Sequence, residues 1–251
     1  MTTFSIKYLE SVGSTNAALL EMPEKDRVGT VLCAHEQRAG KGMGTNTWES
    51  SPGLNLTFSM GLDLSFMKAT DQFLLSQAVP LGLVDVLDSV FGKGESAFTG
   101  KLMVKWPNDL IYEGRKLCGI LINSTIHGDM MGVSVVGIGL NVNQMQFQDW
   151  PTHPISMKMI LREDQELEPL LEQLVAAVDQ RVQRLRSDDG IAEIRKDYLE
   201  RLFRYRQWGD YETKEGLVRR YITGLDPFGR LETIDEKGKK FVYDIKEIRV
   251  W

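Results

Sequence analysis

Between β-type runs the chain carries Gly40-Lys41-Gly42-Met43-Gly44-Thr45-Asn46-Thr47-Trp48, three glycines and a lysine leading to a tryptophan. Backbone N–H groups of such a run can converge on an anion, Lys41 adds positive charge, and Trp48 supplies a ring for packing. The run lacks the Gly-Lys-Ser/Thr ending of a P-loop and does not match a dinucleotide fingerprint. Taken alone, it is equally a flexible surface loop.

Three further segments pair charge with unusual backbone. In Lys105-Trp106-Pro107-Asn108-Asp109 the proline ends a strand and presents a cation beside a metal-capable carboxylate, although Pro-Asn-Asp is also good turn chemistry. Lys116 opens the strand Lys116-Leu117-Cys118-Gly119-Ile120-Leu121, in which Gly119 suggests close approach by a ligand or another backbone; a solvated strand-end lysine is the ordinary alternative. Gly137-Ile138-Gly139-Leu140-Asn141 sets two glycines one apart ahead of an amide that can read a base or ribose, or else marks a bulge. Lysines, glycine backbone and a magnesium-binding carboxylate are the groups that an in-line displacement at an α-phosphorus needs. The lysines need no special pKa for this, since they act as fixed charges.

The elements that must hold these residues can be read from periodicity. Residues 5–9 alternate as a strand, and Ser14-Thr15-Asn16 offers cap oxygens to a short helix. Strands are predicted at 30–35, 55–60, 101–106, 116–124 and 130–138, with 37–47 a loop and a long amphipathic helix from about residue 70 to just before Gly92. Pro151 and Pro154 fall in a loop, followed by helices at 168–186 and 191–203. From Trp208 onward short alternating runs separated by Asp226-Pro227-Phe228-Gly229 and Glu236-Lys237-Gly238 suit a small antiparallel barrel. The expected fold is therefore α+β. It has a mixed, mainly antiparallel sheet with helices on one side in residues 1–205, and a small C-terminal β-barrel in residues 206–251.

Composition narrows the classes. Thirty Lys plus Arg stand against 35 Asp plus Glu, a formal charge of −5, which disfavours a nucleic-acid partner held by bulk charge. The two cysteines, Cys33 and Cys118, sit in apolar runs without metal-type spacing and read as reduced, packed thiols. No secretory signal is apparent, and no stretch reaches the roughly 18 apolar residues of a membrane span. A cytoplasmic protein without membrane contact is expected.

Taken in order, Ser14-Thr15-Asn16, Gln37, residues 40–48, 105–110, 116–121 and 137–141 resemble the biotin protein ligase family, also called biotin–acetyl-CoA-carboxylase ligase. The tail from Trp208 resembles that family's SH3-like C-terminal domain, and the larger part its class II synthetase-like catalytic domain. The resemblance implies ATP-dependent activation of biotin to biotinyl-5′-AMP and transfer to a lysine of a biotin carboxyl carrier domain. It further implies that Ser14, Thr15 and Gln37 meet the ureido ring and Lys116 the carboxylate, with Asn16, Gly40, Lys41, Gly42, Met43, Gly119, Leu121, Gly137 and Gly139 completing the biotin site. Lys105, Asn108 and Asp109 then serve the phosphates, Asp109 as the candidate Mg2+ ligand, with Asn46, Trp48 and Asn141 on the ATP side. Lys116, Lys105 and Lys41 are the charges expected to carry catalysis. The family's loop usually has a second arginine where this chain has Met43, which predicts easier escape of the adenylate, because a thioether cannot pair with phosphate. With Ser14-Thr15-Asn16 so near the first residue, no N-terminal DNA-binding domain fits, and a monofunctional ligase is expected; a homodimer through sheet edges is a candidate assembly. The competing readings are a lipoate or octanoate ligase or transferase, against which the Lys105–Asp109 segment argues, and a non-catalytic biotin-binding regulator.

Overall fold

The computed structural model describes residues 2–92, 101–148 and 153–249. Its first sheet has seven strands in the order β1-β2-β3-β7-β6-β5-β4: β1 (Ser5–Val12), β2 (Thr30–Gln37), β3 (Leu56–Asp63), β4 (Leu102–Lys105), β5 (Asp109–Tyr112), β6 (Arg115–His127) and β7 (Met130–Leu140). All pairings are antiparallel except β1 with β2, which are parallel and joined through α1 (Thr15–Glu21) and α2 (Glu24–Arg27), as a crossover connection requires. Ser14 caps α1, its hydroxyl accepting from the Ala17 N–H at 3.5 Å.

Alternate residues of β2 point to opposite faces. Val31 and Cys33 join the large core under α3 (Phe73–Phe91) and α5 (Leu167–Arg184), whereas Leu32 packs with Leu19 of α1 and Val135. The expectation of helices on one side is thus corrected: α3, α5 and α6 (Asp188–Arg201) cover one face, and α1 lies on the other. Gly82 lets α3 and α5 approach closely, since a methyl there would sit 2.7 Å from the Val178 Cα. By length and mean hydropathy α3 is apolar enough to cross a bilayer, but it is interrupted by Ser76, Gln77, Asp85 and Asp88, and its residues are largely buried in the core.

Two elements escaped periodicity. Periodicity predicts no strand where the four-residue β5 forms, and the short α4 (Met157–Leu161) lies where a loop is expected. Pro151 falls outside the described residues, while the Pro154 carbonyl accepts from Arg115. Both cysteines are free and buried, and burial pushes the Cys33 thiol up to about 11 and that of Cys118 higher still.

The last strands form a curled, fully antiparallel five-stranded sheet in the order β11-β10-β9-β8-β12: β8 (Trp208–Thr213), β9 (Gly216–Leu225), β10 (Leu231–Ile234), β11 (Lys240–Tyr243) and β12 (Ile248–Arg249). It is tied to the first sheet at the end of β4. The Phe203 N–H donates to the Val104 carbonyl at 2.8 Å, and the Trp106 indole N–H donates to the Gly229 carbonyl at 2.9 Å.

Candidate active site

The segments singled out in the sequence border one cavity of about 810 Å3, a volume suited to a ligand of cofactor size. Its floor is the face of the large sheet that α1 occupies at one end. Gly119 of β6 pairs with Gly139 of β7, and Gly137 pairs with Leu121, in regular register; the bulge alternative for residues 137–141 is therefore not what the chain adopts. The absence of side chains at these glycines makes room for what lies above them. A methyl on Gly139 would fall 2.3 Å from the Trp48 indole, one on Gly119 would fall 3.0 Å from the same ring, and one on Gly137 would fall 3.0 Å from the Asn16 amide nitrogen.

At one end of the floor is a small polar cluster. Gln37, the last residue of β2, accepts through Oε1 from the Thr15 N–H at 2.7 Å and the Thr15 hydroxyl at 3.1 Å. The Thr15 hydroxyl also lies 2.8 Å from that of Ser59. Among the described residues the buried Asn16 Nδ2 has no partner, a cost that a ligand acceptor would remove. Sequence reading missed Ser59; the signal was present in the alternation of polar Thr57 and Ser59 with apolar Leu56, Phe58 and Met60 along β3.

The charged side is assembled by pairing register. Lys105 sits opposite Asp109 across the β4–β5 hairpin, and Asp109 sits opposite Gly119 on β6. Lys116 Nζ reaches Asp109 Oδ1 at 2.9 Å, and lies 5.7 Å from the centroid of the Trp48 ring. Burial holds the Lys105 ammonium below the usual lysine range, an effect that repulsion from Lys116 and Arg204 adds to and Asp109 opposes.

The glycine-rich run is folded rather than loose. The Trp48 N–H donates to the Gly40 carbonyl at 3.0 Å and the Gly42 N–H to the Asn46 carbonyl at 2.8 Å, giving a short hairpin with Gly44 at φ +70° near its tip. Lys41, Gly42, Met43 and Asn46 line the cavity with Trp48; of the sequence-predicted residues, only Gly40 does not. It closes the base of the hairpin, where a methyl would meet the Trp48 carbonyl at 2.4 Å. Asn108 and Asn141 line the cavity while their amide donors go to backbone, to the Ile120 carbonyl at 2.5 Å and the Ile155 carbonyl at 3.1 Å respectively. These two residues lock strands together as well as facing the site. The C-terminal sheet also contributes to the wall, through Ile245, Lys246, Ile248 and Arg249. No sequence signal pointed to these, because nothing local marks a contact across about two hundred residues of chain.

No group of three or more His, Cys, Asp and Glu able to hold a metal occurs among the described residues. One carboxylate, Asp109, faces the lysines, and this suits Mg2+, which usually arrives with phosphate oxygens and takes only one or two protein carboxylates.

Comparison with known proteins gives this geometry a family. Residues 8–143 match the model described as Biotin/lipoate A/B protein ligase family. The bifunctional ligase/repressor BirA of Bacillus spizizenii is 32% identical over 147 residues, which cover 57% of this chain and 42% of that protein. The biotin–[acetyl-CoA-carboxylase] ligase of Mycobacterium tuberculosis is 34% identical over 134 residues, covering 53% and 47%. The matched stretch thus spans less than half the length of these curated relatives. In fold, the biotin protein ligase from Aquifex aeolicus, solved in complex with biotin and ATP, superposes with a TM-score of 0.78 at 21% identity over 97% of both chains. The chain belongs to the biotin/lipoate A/B protein ligase family.

Proposed function

We propose that this protein is an ATP-dependent biotin–protein ligase. In the first step a biotin carboxylate oxygen attacks the α-phosphorus of ATP, the bond to pyrophosphate breaks, and biotinyl-5′-AMP forms. In the second, the neutral amine of an acceptor lysine attacks the acyl carbonyl, an amide forms and AMP leaves. Lys116, Lys105 and Lys41 supply fixed positive charge where negative charge develops. Mg2+ brought with ATP would be held at Asp109 and would neutralise phosphate charge. The acceptor would be the carboxyl carrier domain of a carboxylase, as the name of the Mycobacterium tuberculosis relative suggests. The division at residues 205 and 206 into a catalytic and a C-terminal domain belongs to the same reading, as does a cytoplasmic location, which the two free buried thiols suit.

The observation that favours biotin over lipoate or octanoate is the polar end of the cavity. A ureido ring has one carbonyl acceptor and two N–H donors; the unpartnered Asn16 amide and the Thr15, Ser59 and Gln37 cluster can meet both kinds of group. A dithiolane or alkyl chain would leave the buried Asn16 amide unmet, at a cost of about 1–3 kcal/mol. Pyrophosphate release, measured with ATP, Mg2+ and either biotin or lipoate, tests the choice: release with biotin alone is expected, and release with lipoate alone overturns it.

Among the described residues β1 pairs only with β2, so its outer edge is where a second copy would add to the sheet. Light scattering with and without biotin and ATP measures whether the proposed homodimer forms.

A further inference from the structure

The glycine hairpin and the C-terminal sheet meet at one point. Lys246 lies in the turn before β12, and its ammonium packs against Gly44, where a methyl would come within 2.7 Å of Nζ. The turn is built to hold it there. The Asp244 N–H donates to Glu247 Oε2 at 2.8 Å, the Glu247 N–H to the Asp244 carbonyl at 3.0 Å, and the Ile245 N–H to Asp244 Oδ1 at 2.8 Å. Lys246 itself sits at φ +74°, a conformation uncommon for a side chain of its size. Both carboxylates of the turn accept from its own backbone, and Glu247 also faces Lys214 at 3.9 Å. Among the described residues the Lys246 ammonium has neither an ion-pair nor a hydrogen-bond partner, although it lines the active-site cavity.

Of the other cations of the cavity, the ammonium groups of Lys41 and Lys105 likewise have no ion-pair or hydrogen-bond partner among the described residues, whereas two are paired. Lys116 is already paired with Asp109, and Arg249 at the rim faces Glu212 at 3.3 Å. An unpaired ammonium that packs against Gly44 at the tip of the hairpin and lines the same cavity is arranged to receive an anion from solution. We propose that Lys246 is a nucleotide-binding residue lent to the active site by the C-terminal sheet. It contacts the phosphates of the bound nucleotide and, through Gly44, holds the hairpin of residues 40–48 closed over them. The inference rests on the ligase reading for the identity of the nucleotide, and it gives the C-terminal sheet a part in substrate binding.

The test uses the whole chain and its Lys246→Met and Lys246→Arg variants, in biotin-dependent exchange of pyrophosphate into ATP. Lys246→Met should raise the KM for ATP about tenfold, the loss of one charge-assisted contact, while Lys246→Arg recovers most of it. Affinity for biotin alone should stay as in the parent. Biotin with ATP should protect the hairpin from proteolysis in the parent but protect it less in Lys246→Met. A KM for ATP within about twofold of the parent in Lys246→Met, with unchanged protection, overturns the proposal. A parent protein without biotin-dependent exchange would instead count against the ligase reading; calorimetric titration of ATP into parent and Lys246→Met then still decides the role of Lys246.

Discussion

Lys116 Nζ and Asp109 Oδ1 lie 2.9 Å apart on adjacent strands, both half-buried, so the lysine that the ligase reading assigns to substrate is paired with a carboxylate. Under the ligase reading, a substrate carboxylate or phosphate would have to draw Lys116 from this partner, and a metal at Asp109 would release it. The two residues are therefore coupled, and the state of one sets the availability of the other.

Lys116→Ala should lower the rate of adenylate formation by about 10²–10³, as for the loss of one preorganised charge at a reacting phosphoryl group. Circular dichroism should show the fold unchanged, since Lys116 opens a strand and does not enter the core. Pyrophosphate release close to that of the parent would remove Lys116 from the mechanism.

Under the ligase reading, Lys105 should set the alkaline limit of the reaction. Burial holds its ammonium below the ordinary lysine value, so it loses its proton at lower pH than an exposed lysine, and the charge it offers to phosphate goes with it. Bound polyanion favours the protonated form, so the inflection should lie lower in kcat/KM than in kcat. In Lys105→Arg, whose guanidinium stays charged, the alkaline limb should move up in pH. An identical alkaline limb in both proteins would assign the inflection to another group.

Gly139→Ala probes the floor. The added methyl would stand 2.3 Å from the Trp48 indole, so the ring must leave its seat over Gly139 and Gly119. Tryptophan emission should shift in the free protein, and biotin affinity should fall by about tenfold or more through displacement of the hairpin. Unchanged emission would show that the ring does not rest on this glycine in solution.

The sequence displayed the floor and the charged side because each is a contiguous motif. Gly137 and Gly139, or Lys105 and Asp109, are close in the chain, and strand pairing brings the motifs together. Ser59 was less visible, since a buried serine in an apolar strand has no local signature beyond its alternation with Phe58 and Met60. Lys246 was invisible: its role depends on how the C-terminal sheet docks, and the bond from Trp106 to Gly229 that fixes this docking joins residues 123 positions apart. The strand β5 was missed because four residues are too few for period two to emerge beside a proline turn.

Glu24 contributes one acid-dependent part of the stability. Hydrogen bonds from His127 first, then from the Val133 N–H and Thr125, lower its carboxyl from 4.5 to about 2. A depressed pKa of this kind contributes stability above the unfolded value, and that contribution is lost as pH falls from about 4.5 through about 2. The melting-temperature gap between the parent and Glu24→Gln should therefore be full near neutral pH and narrow through this window. A gap that does not change with pH would show that the contacts of Glu24 do not depend on its charge.

Met43 bears on custody of the adenylate. It lines the cavity one residue before Gly44, where the resemblance to biotin ligases led us to expect an arginine, and its thioether can pack but cannot pair with a phosphate. Under the ligase reading, biotinyl-5′-AMP leaves more readily than it would past a second loop cation, and it then acylates exposed lysines at random. Met43→Arg should reduce biotin incorporation into an unrelated lysine-rich protein while sparing transfer to the carrier domain. Lys246 faces the adjacent glycine and supplies charge from the other side, so the effect should be larger in the Lys246→Met background, where neither cation is present before the arginine is added. Background labelling by the parent no higher than by Met43→Arg, in both backgrounds, would mean that the hairpin retains the intermediate without a cation at this position.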